Sequence, residues 1–395
     1  MLGGMHTQIY AIKKAVEMGF YVITADYLPD NPGHKFAHES HNVSILDKEA
    51  VLELAKKLNI DGIVSYANEL GVQTAAYVCE KLGLPTSPYK SVEILSNKDK
   101  FRAFLRDNGF NCPKAKGYGK DEVQMALNEI STFSLPIVVK PVDSSGCKGI
   151  NILNDLSQLK EKIEYSLSVS RAKRFVIEEF VERDGYQLGG DGFSVNGELV
   201  FRCFSNSHFD AKLKLIPFGE SFPYIQTQEV KIKIHNEFQR LLTLLDMKST
   251  AYNLEARINK NGEVFIMEVA PRNGGGYIPQ VTKYATGVDM IEYTFKAATG
   301  MDCSDLKMVE PKGFWAVYEV HSLESGILKD IWMDDDFKTN NFVEIEMFRK
   351  IGDKIEAIVD ESGSFGMMIL KFASQEEMIE KMDNMHRWVK VVLEN

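Results

Sequence analysis

The sequence predicts an α/β protein whose middle section is an α+β lid. Strand and helix patterns alternate over residues 1 to about 88, as in βαβ units on a parallel sheet. A strong antiparallel ribbon signal stands at residues 250–276, where Asn261-Gly262 separates two alternating runs. Between these regions, residues 135–140 and 174–182 read as strands on either side of a small-residue loop.

Composition narrows the class. At 395 residues with 44% apolar content, the chain is long enough for two or three domains with a sizeable core. Its net charge of −10 speaks against nucleic acid, whose binders carry basic patches. No apolar run reaches the length of a membrane span, and the first residues do not read as a signal peptide. Cys79, Cys112, Cys147, Cys203 and Cys303 show neither CxxC nor Cys/His spacing. That pattern argues for a reducing cytoplasm and against zinc.

In chain order, residues 7–18, 47–58 and 70–82 read as helices, and residues 20–25 and 62–65 as strands. Ligands of parallel sheets bind beyond the carboxyl ends of the strands, which sets Gly3-Gly4, Asp26, the loop 29–33 and Asn68-Glu69 on one rim. Turn chemistry alone also accounts for such residues. A Gly-Gly turn before a helix normally follows a buried strand, and none precedes Gly3. Either the start is trimmed or misassigned, or this part manages without a central strand.

After Ser96-Asn97, an N-cap signal, residues 98–108 form a helix. The strand 135–140 ends in Lys140 and leads into residues 141–149, PVDSSGCKG. This is not a Walker A loop, but its backbone N–H groups could wrap phosphates, with Lys140 and Lys148 as point charges. A polar hairpin loop would look the same. The strand 174–182 carries consecutive acids, which need donors if buried: adenine and ribose, or surface lysines. Residues 205–224 read as irregular and polar, with His208 expected to be solvated and Lys212 and Lys214 nearby.

With Asn261-Gly262 as a two-residue type I′ turn, the ribbon pairs Glu255 with Glu268, Arg257 with Ile266 and Asn253 with Ala270. Its other face pairs Ile258 with Phe265, Ala256 with Met267 and Leu254 with Val269, all apolar. Two opposed carboxylates lie roughly 5 Å apart at Cβ and repel. A divalent cation such as Mg²⁺, a shared proton or Arg257 would offset this; so would two side chains splayed into water. The strand leads into Pro271-Arg272-Asn273 and three glycines, a run suited to close approach of backbone to a ligand. Residues 278–284 and 288–298 read as helices, and residues 301–395 as a packing lobe ending in a helix capped at Ser374.

Taken in order, SNKDKFR at 96–102, the strand and loop at 135–149, RFVIEEFVE at 174–182 and the ribbon with Arg272 resemble the ATP-grasp ligases. The texture is closest to biotin carboxylase, the carbamoyl-phosphate synthetase large subunit and phosphoribosylglycinamide synthetase. The resemblance covers nearly the whole chain. It implies a Rossmann-like pre-ATP-grasp domain at 1–88, an ATP-grasp domain at 89–300 with its lid at about 112–185, and a small C-terminal lobe at 301–395.

The resemblance also implies roles. Lys98 and Lys140 would reach the ATP phosphates, and Ser144, Ser145, Gly146, Lys148 and Gly149 would form the lid loop. Glu178, Glu179, Phe180 and Val181 would form the adenine hinge, with the backbone of Glu179 and Val181 reading the base and Glu182 or Gln187 holding the ribose. Glu255 and Glu268 would hold Mg²⁺ (or Mn²⁺), and Arg272, with Lys140 and Lys148, would stabilise the transferring phosphoryl group and the acyl-phosphate. The family often has E-x-N-x-R where this chain has Glu268-Val-Ala270-Pro-Arg272, so Asn253, opposite Ala270, is a candidate substitute.

The implied reaction is MgATP-dependent joining of a small-molecule carboxylate to a nitrogen nucleophile through an acyl-phosphate, releasing ADP and phosphate. Biotin-carboxylase relatives suggest a homodimer. The alternatives are a bicarbonate-activating enzyme that makes carboxyphosphate, and a nucleotide-binding protein without ligase activity.

Overall fold

The computed structural model describes residues 1–209 and 215–394. Lys212 and Lys214 therefore lie outside the described residues.

Near the start, strands Ile23–Asp26 and Glu39–Asn42 pair in parallel. Residues 1–3 occupy the central position, between Ala25 and Val64, for which the sequence shows no strand pattern. Leu2 bridges Ala25 in parallel and donates its N–H to Val64 at 2.9 Å, while Gly3 donates to Ala25 at 2.8 Å. The segment 62–65, expected as a strand, meets the chain start through Val64 without regular strand structure. Helices Ile9–Glu17, Lys48–Leu58 and Glu69–Leu82 pack around this core. Asp47 and Asn68 cap the second and third, and Gly83 at φ 69° ends the third. On the rim, Asp26 accepts from the N–H groups of Gly4 (3.2 Å) and Leu28 (3.0 Å) and from the Asn31 amide (2.9 Å). Its carboxylate is thus committed to holding the loops together.

The lid region is a four-stranded antiparallel sheet in the order Ala115–Gly119, Arg174–Glu179, Ile137–Pro141, Asn151–Leu153. Its apolar residues Tyr118, Ile137, Val139, Phe175 and Ile177 form a core with Ile163 of the helix Leu159–Val169.

An eight-stranded antiparallel sheet dominates the rest. Its order is Val264–Ala270, Thr250–Ile258, Gln187–Val195, Glu198–Phe209, Pro217–Phe222, Phe314–Val320, Gly366–Phe372, Phe342–Met347. Three of these strands lie beyond residue 300, so one continuous sheet carries both the ribbon and the C-terminal segment. Ile234, Phe238, Leu241 and Leu242 of the helix Gln228–Leu244 cluster with Tyr252, Leu254, Ile266 and Val269 of the ribbon. Phe101 and Leu105 of the helix Lys98–Asp107 join the same cluster. Burial of this apolar face sets the height and tilt of the opposite, polar face.

Residues 205–224 correct the sequence reading: most of that segment is strand, at Glu198–Phe209 and Pro217–Phe222. Its polar residues satisfy one another inside the sheet. The Asn206 amide donates to the carbonyls of Ser221 (3.1 Å) and Pro223 (3.0 Å). His208, expected in solvent, is 1% exposed and hydrogen-bonds Asp383 (2.7 Å) and Ser221 (2.8 Å). Polarity reads as loop in a sequence unless the partners are known.

Candidate active site

The ribbon places its carboxylates as expected, by a different route. Asn253 pairs with Ala270, Leu254 with Val269 and Glu255 with Glu268. Beyond Glu255 the register shifts: Ala256 faces Ile266, Arg257 faces Phe265 and Ile258 faces Val264. The turn is not the two-residue type I′. Gly262 has φ 72°, its N–H donates to Asn259 at 2.9 Å, and the Asn259 side chain accepts from the N–H groups of Asn261 and Glu263. This longer loop moves the pairing by one residue, and a β-bulge at Met267 moves it back before the site.

A bulge frees backbone carbonyls, and here a buried cation takes them. Arg102 donates from Nη1 to the carbonyls of Ile266 (3.3 Å) and Met267 (3.0 Å), and from Nε to Glu178 at 2.8 Å. Lys98 lies one turn earlier on the same helix face. Its ammonium donates to the Ser144 carbonyl at 2.8 Å and stands 3.3 Å from Glu268. One short helix thereby ties the lid loop, the lid sheet and the ribbon together.

Electrostatics make the glutamate pair unequal. Burial and then the charge of Glu268 push the Glu255 carboxyl upward, with Glu361 and Glu220 adding to it. Burial also opposes ionisation of Glu268, but Lys98, Arg272 and Lys140 outweigh it and bring its pKa below the ordinary range. Without a cation, the pair is best described as an ionised Glu268 facing a proton-holding Glu255. Gln187 donates to Glu255 at 3.2 Å and accepts from Arg257 at 2.7 Å. Both ends of its amide are engaged beside the carboxylate pair.

The other expected residues divide. Lys140 ion-pairs with Glu178, so the Glu178 carboxylate sits between Lys140 and Arg102, with all three side chains nearly buried. Burial would raise Glu178, yet the two cations take it down to about 2. Burial, offset in part by Glu178, takes Lys140 down to about 8. The Glu179 carboxylate accepts from Ser134 N–H at 2.8 Å, and the Val181 carbonyl accepts from Arg257 at 2.9 Å. Phe180 donates its N–H to Pro136 at 2.9 Å and lies under the Arg257 guanidinium, 5.1 Å from ring centre. Glu182 is exposed. In the lid loop, Ser144 is buried and its hydroxyl donates to the Lys148 carbonyl at 2.9 Å, closing the turn through Ser145 and Gly146 to Gly149. The Lys148 side chain is exposed, not gathered with Lys98 and Lys140 beside the carboxylates.

Arg272 donates from Nε to Glu69 at 3.0 Å and from Nη1 to the Asn273 carbonyl at 2.9 Å. Glu69, on the rim of the N-terminal sheet, thereby meets the end of the ribbon. The Asn253 amide donates from Nδ2 to the Gly190 carbonyl and to Asp191, both at 3.2 Å. Asp191 is fully buried and also accepts from Gly274 N–H at 2.9 Å. A Cβ at Gly274 would stand 2.6 Å from that carboxylate, and one at Gly276 would stand 2.6 Å from Glu319. Two glycines of the run are therefore required by protein carboxylates.

The C-terminal segment is more than packing. Glu361 donates its N–H to the Gly146 carbonyl at 3.2 Å, and its carboxylate accepts from Cys147 Sγ at 3.5 Å, so it touches the lid loop directly. Glu319 and Glu220 approach from neighbouring strands. Burial raises Glu319 to about 8 and Glu220 to about 7. No motif marks these acids in the sequence; each is a lone glutamate brought in by sheet order.

The donor set fits a hard divalent cation. Two opposed carboxylates, one driven toward protonation by burial and by the charge of the other, are the ligands such an ion needs. Among the described residues, no three His, Cys, Asp or Glu side chains form a cage for a metal. An ion held by two carboxylates keeps coordination positions for phosphate oxygens, which suits Mg²⁺.

Comparison with known proteins agrees with this geometry. Residues 133–280 match the model for the ATP-grasp domain. The chain is similar to alanine–anticapsin ligase of Bacillus amyloliquefaciens, 26% identical over 306 residues; the match takes in 72% of this chain and 63% of the relative's length. Its fold is shared with the L-amino acid ligase of Bacillus licheniformis, at TM-score 0.82 and 20% identity, over 100% of this chain and 98% of that one. It is also shared with the biotin carboxylase domain of Hydrogenobacter thermophilus 2-oxoglutarate carboxylase, a dimer solved with MgADP, ADP and bicarbonate. There the TM-score is 0.75 and identity 14%, over 99% of this chain and 90% of that one. Among the described residues, no helix is long and apolar enough to cross a membrane. Ribbon, lid sheet and sequence match thus agree: residues 133–280 match the ATP-grasp domain, and the chain has an α+β ATP-grasp fold.

Proposed function

We propose that the protein is a carboxylate–amine ligase that uses MgATP and works through an acyl-phosphate. One observation carries this most: Glu255 and Glu268 oppose each other across the ribbon with the Lys98 ammonium 3.3 Å from Glu268. Glu255 and Glu268 would hold Mg²⁺, which when bound offsets charge on the phosphate oxygens. Lys98 and Lys140 bring fixed positive charge to the same place, and Arg272 brings it to the ribbon's end. Because Lys140 is held by Glu178 and Arg272 by Glu69, both cations are positioned before a substrate arrives. Little reorganisation is then needed as charge moves from the γ-phosphate to the leaving ADP.

The substrate carboxylate would sit between Arg272 and the glycine run, with its oxygen directed at the γ-phosphorus. A nitrogen nucleophile then captures the acyl-phosphate, giving an amide and phosphate. Water must be kept out until it does. The lid loop, lying against Lys98 through Ser144 and against Glu361 through Gly146, is the part able to exclude it. The 1–88, 89–300 and 301–395 division serves this scheme: rim, nucleotide machinery and lid support.

Similarity to alanine–anticapsin ligase, and the higher TM-score for the L-amino acid ligase than for the biotin carboxylase domain, favour an amino acid-like carboxylate over bicarbonate. The test is phosphate release from MgATP against a panel of amino acids, other carboxylates and bicarbonate, with and without amines. Stimulation by a carboxylate with an amine, and ADP as the nucleotide product, is the expected result. Slow turnover that nothing on the panel stimulates would contradict the proposal.

A further inference from the structure

A second set of charged groups lies away from the carboxylate pair, between the strand Glu198–Phe209 and the helix Gln228–Leu244. Arg202 is 7% exposed, with its guanidinium 4.6 Å from the Phe204 ring centre. Among the described residues, its Nε has no hydrogen-bond partner. The buried Nδ1 of His235 has none either. Lys231 stands one turn before His235 on the helix, so the two share a face. Two acids are close to this group. Glu310 comes within 4.0 Å of Arg202, too far for a hydrogen bond, and its side chain is half exposed. Glu198, near His235, is exposed.

This arrangement is unbalanced in a specific way. A buried guanidinium N–H without an acceptor costs its full desolvation, and Phe204 offers it a ring face but no acceptor. Burial and then the charge of Arg202 hold His235 below its ordinary value, and burial holds Lys231 down against the opposing charge of Glu310. Glu310 answers only part of the demand, from a distance and from solvent. An acceptor with several oxygens would satisfy Arg202 and the imidazole together, since a guanidinium fork presents parallel donors to an oxyanion.

We propose that Arg202, His235 and Lys231 form a binding site for a small oxyanion of the phosphate type, with Glu310 as an internal competitor for Arg202. The site shares no residue with the carboxylate pair and stands apart from the ligase reading.

Calorimetric titration of inorganic phosphate into the full chain tests this, with a non-hydrolysable MgATP analogue saturating so that the phosphate positions on the ribbon side, the γ position included, are filled. Acetate and chloride at matched ionic strength form the other arms. Saturable binding of one phosphate is expected, with chloride inert. Arg202→Met should weaken it about tenfold or more, the loss of one charge-assisted hydrogen bond. Glu310→Gln should tighten it, and because Glu310 is half exposed, that variant checks the site even where Arg202→Met fails to fold. Saturation by acetate and not phosphate keeps the anion site but makes its occupant a carboxylate. Saturation by neither, or phosphate binding unaltered in both variants, overturns the proposal.

Discussion

The Lys98 ammonium joins the Glu268 carboxylate, at 3.3 Å, to the Ser144 carbonyl of the lid loop, at 2.8 Å. A single side chain therefore registers both the state of the carboxylate pair and the position of the lid loop. Lys98→Met removes a fixed cation from the phosphates and a tether from the lid. Steady-state kinetics should show turnover reduced by about a hundredfold, the scale of losing one preorganised donor. Circular dichroism should show the fold retained.

Glu178 was expected in the adenine hinge, but its carboxylate is spent on Arg102 and Lys140. Glu178→Leu leaves two buried cations facing each other, and chemical denaturation should record a loss of about 3–5 kcal/mol. The sign of its pH dependence follows from a folded pKa of about 2, below the ordinary 4.5. The stabilisation is fully present above pH 4.5 and is lost as pH falls toward 2.

Between pH 5 and 8 the opposite trend should govern the metal-free protein. Burial raises Asp191 and Glu220 to about 7 and Glu319 to about 8, against unfolded values near 4. The folded state then holds protons the unfolded state has released, so stability falls as pH rises through 7 to 8. Denaturation in EDTA at pH 5, 6.5 and 8 should show that decline. Adding Mg²⁺ at pH 8 should recover part of the loss, because the ion replaces the proton on Glu255. Stability that rises steadily over the same range would contradict the acidic cluster as described.

Glu361 supports the lid from the C-terminal segment through Gly146 and Cys147. Glu361→Ala should let water into the closed site and uncouple the reaction. The predicted outcome is ADP formation that continues while amide per ADP drops severalfold, read by paired product assays.

Much of the site was legible because spacing in a β-ribbon fixes which side chains oppose. Glu255 and Glu268 follow from alternation alone, although the loop and the bulge that deliver the pairing were not visible. Asn259, which shapes the loop, looks like any polar turn residue. Arg102, which satisfies the bulge carbonyls, was one letter in SNKDKFR with no partner to name. Contacts between distant segments were the hardest: Glu319 and Asp191 reach the site only through the strand order of the large sheet, and Glu361 through the short helix Glu361–Gly363 before the strand Gly366–Phe372. The segment 205–224 failed for a related reason. Asn206, His208 and Ser221 satisfy one another in the interior, and a sequence shows their polarity without showing the pairing.

In the proposed reaction the opposed glutamates Glu255 and Glu268 run the ATP chemistry. ADP formation by the wild type and by Glu268→Gln, with MgATP, a stimulating carboxylate and an amine, tests it most directly. The expected result is one amide per ADP in the wild type and a loss of about a hundredfold or more in the variant, with the fold unchanged by circular dichroism. Near-normal ADP formation in Glu268→Gln would contradict it.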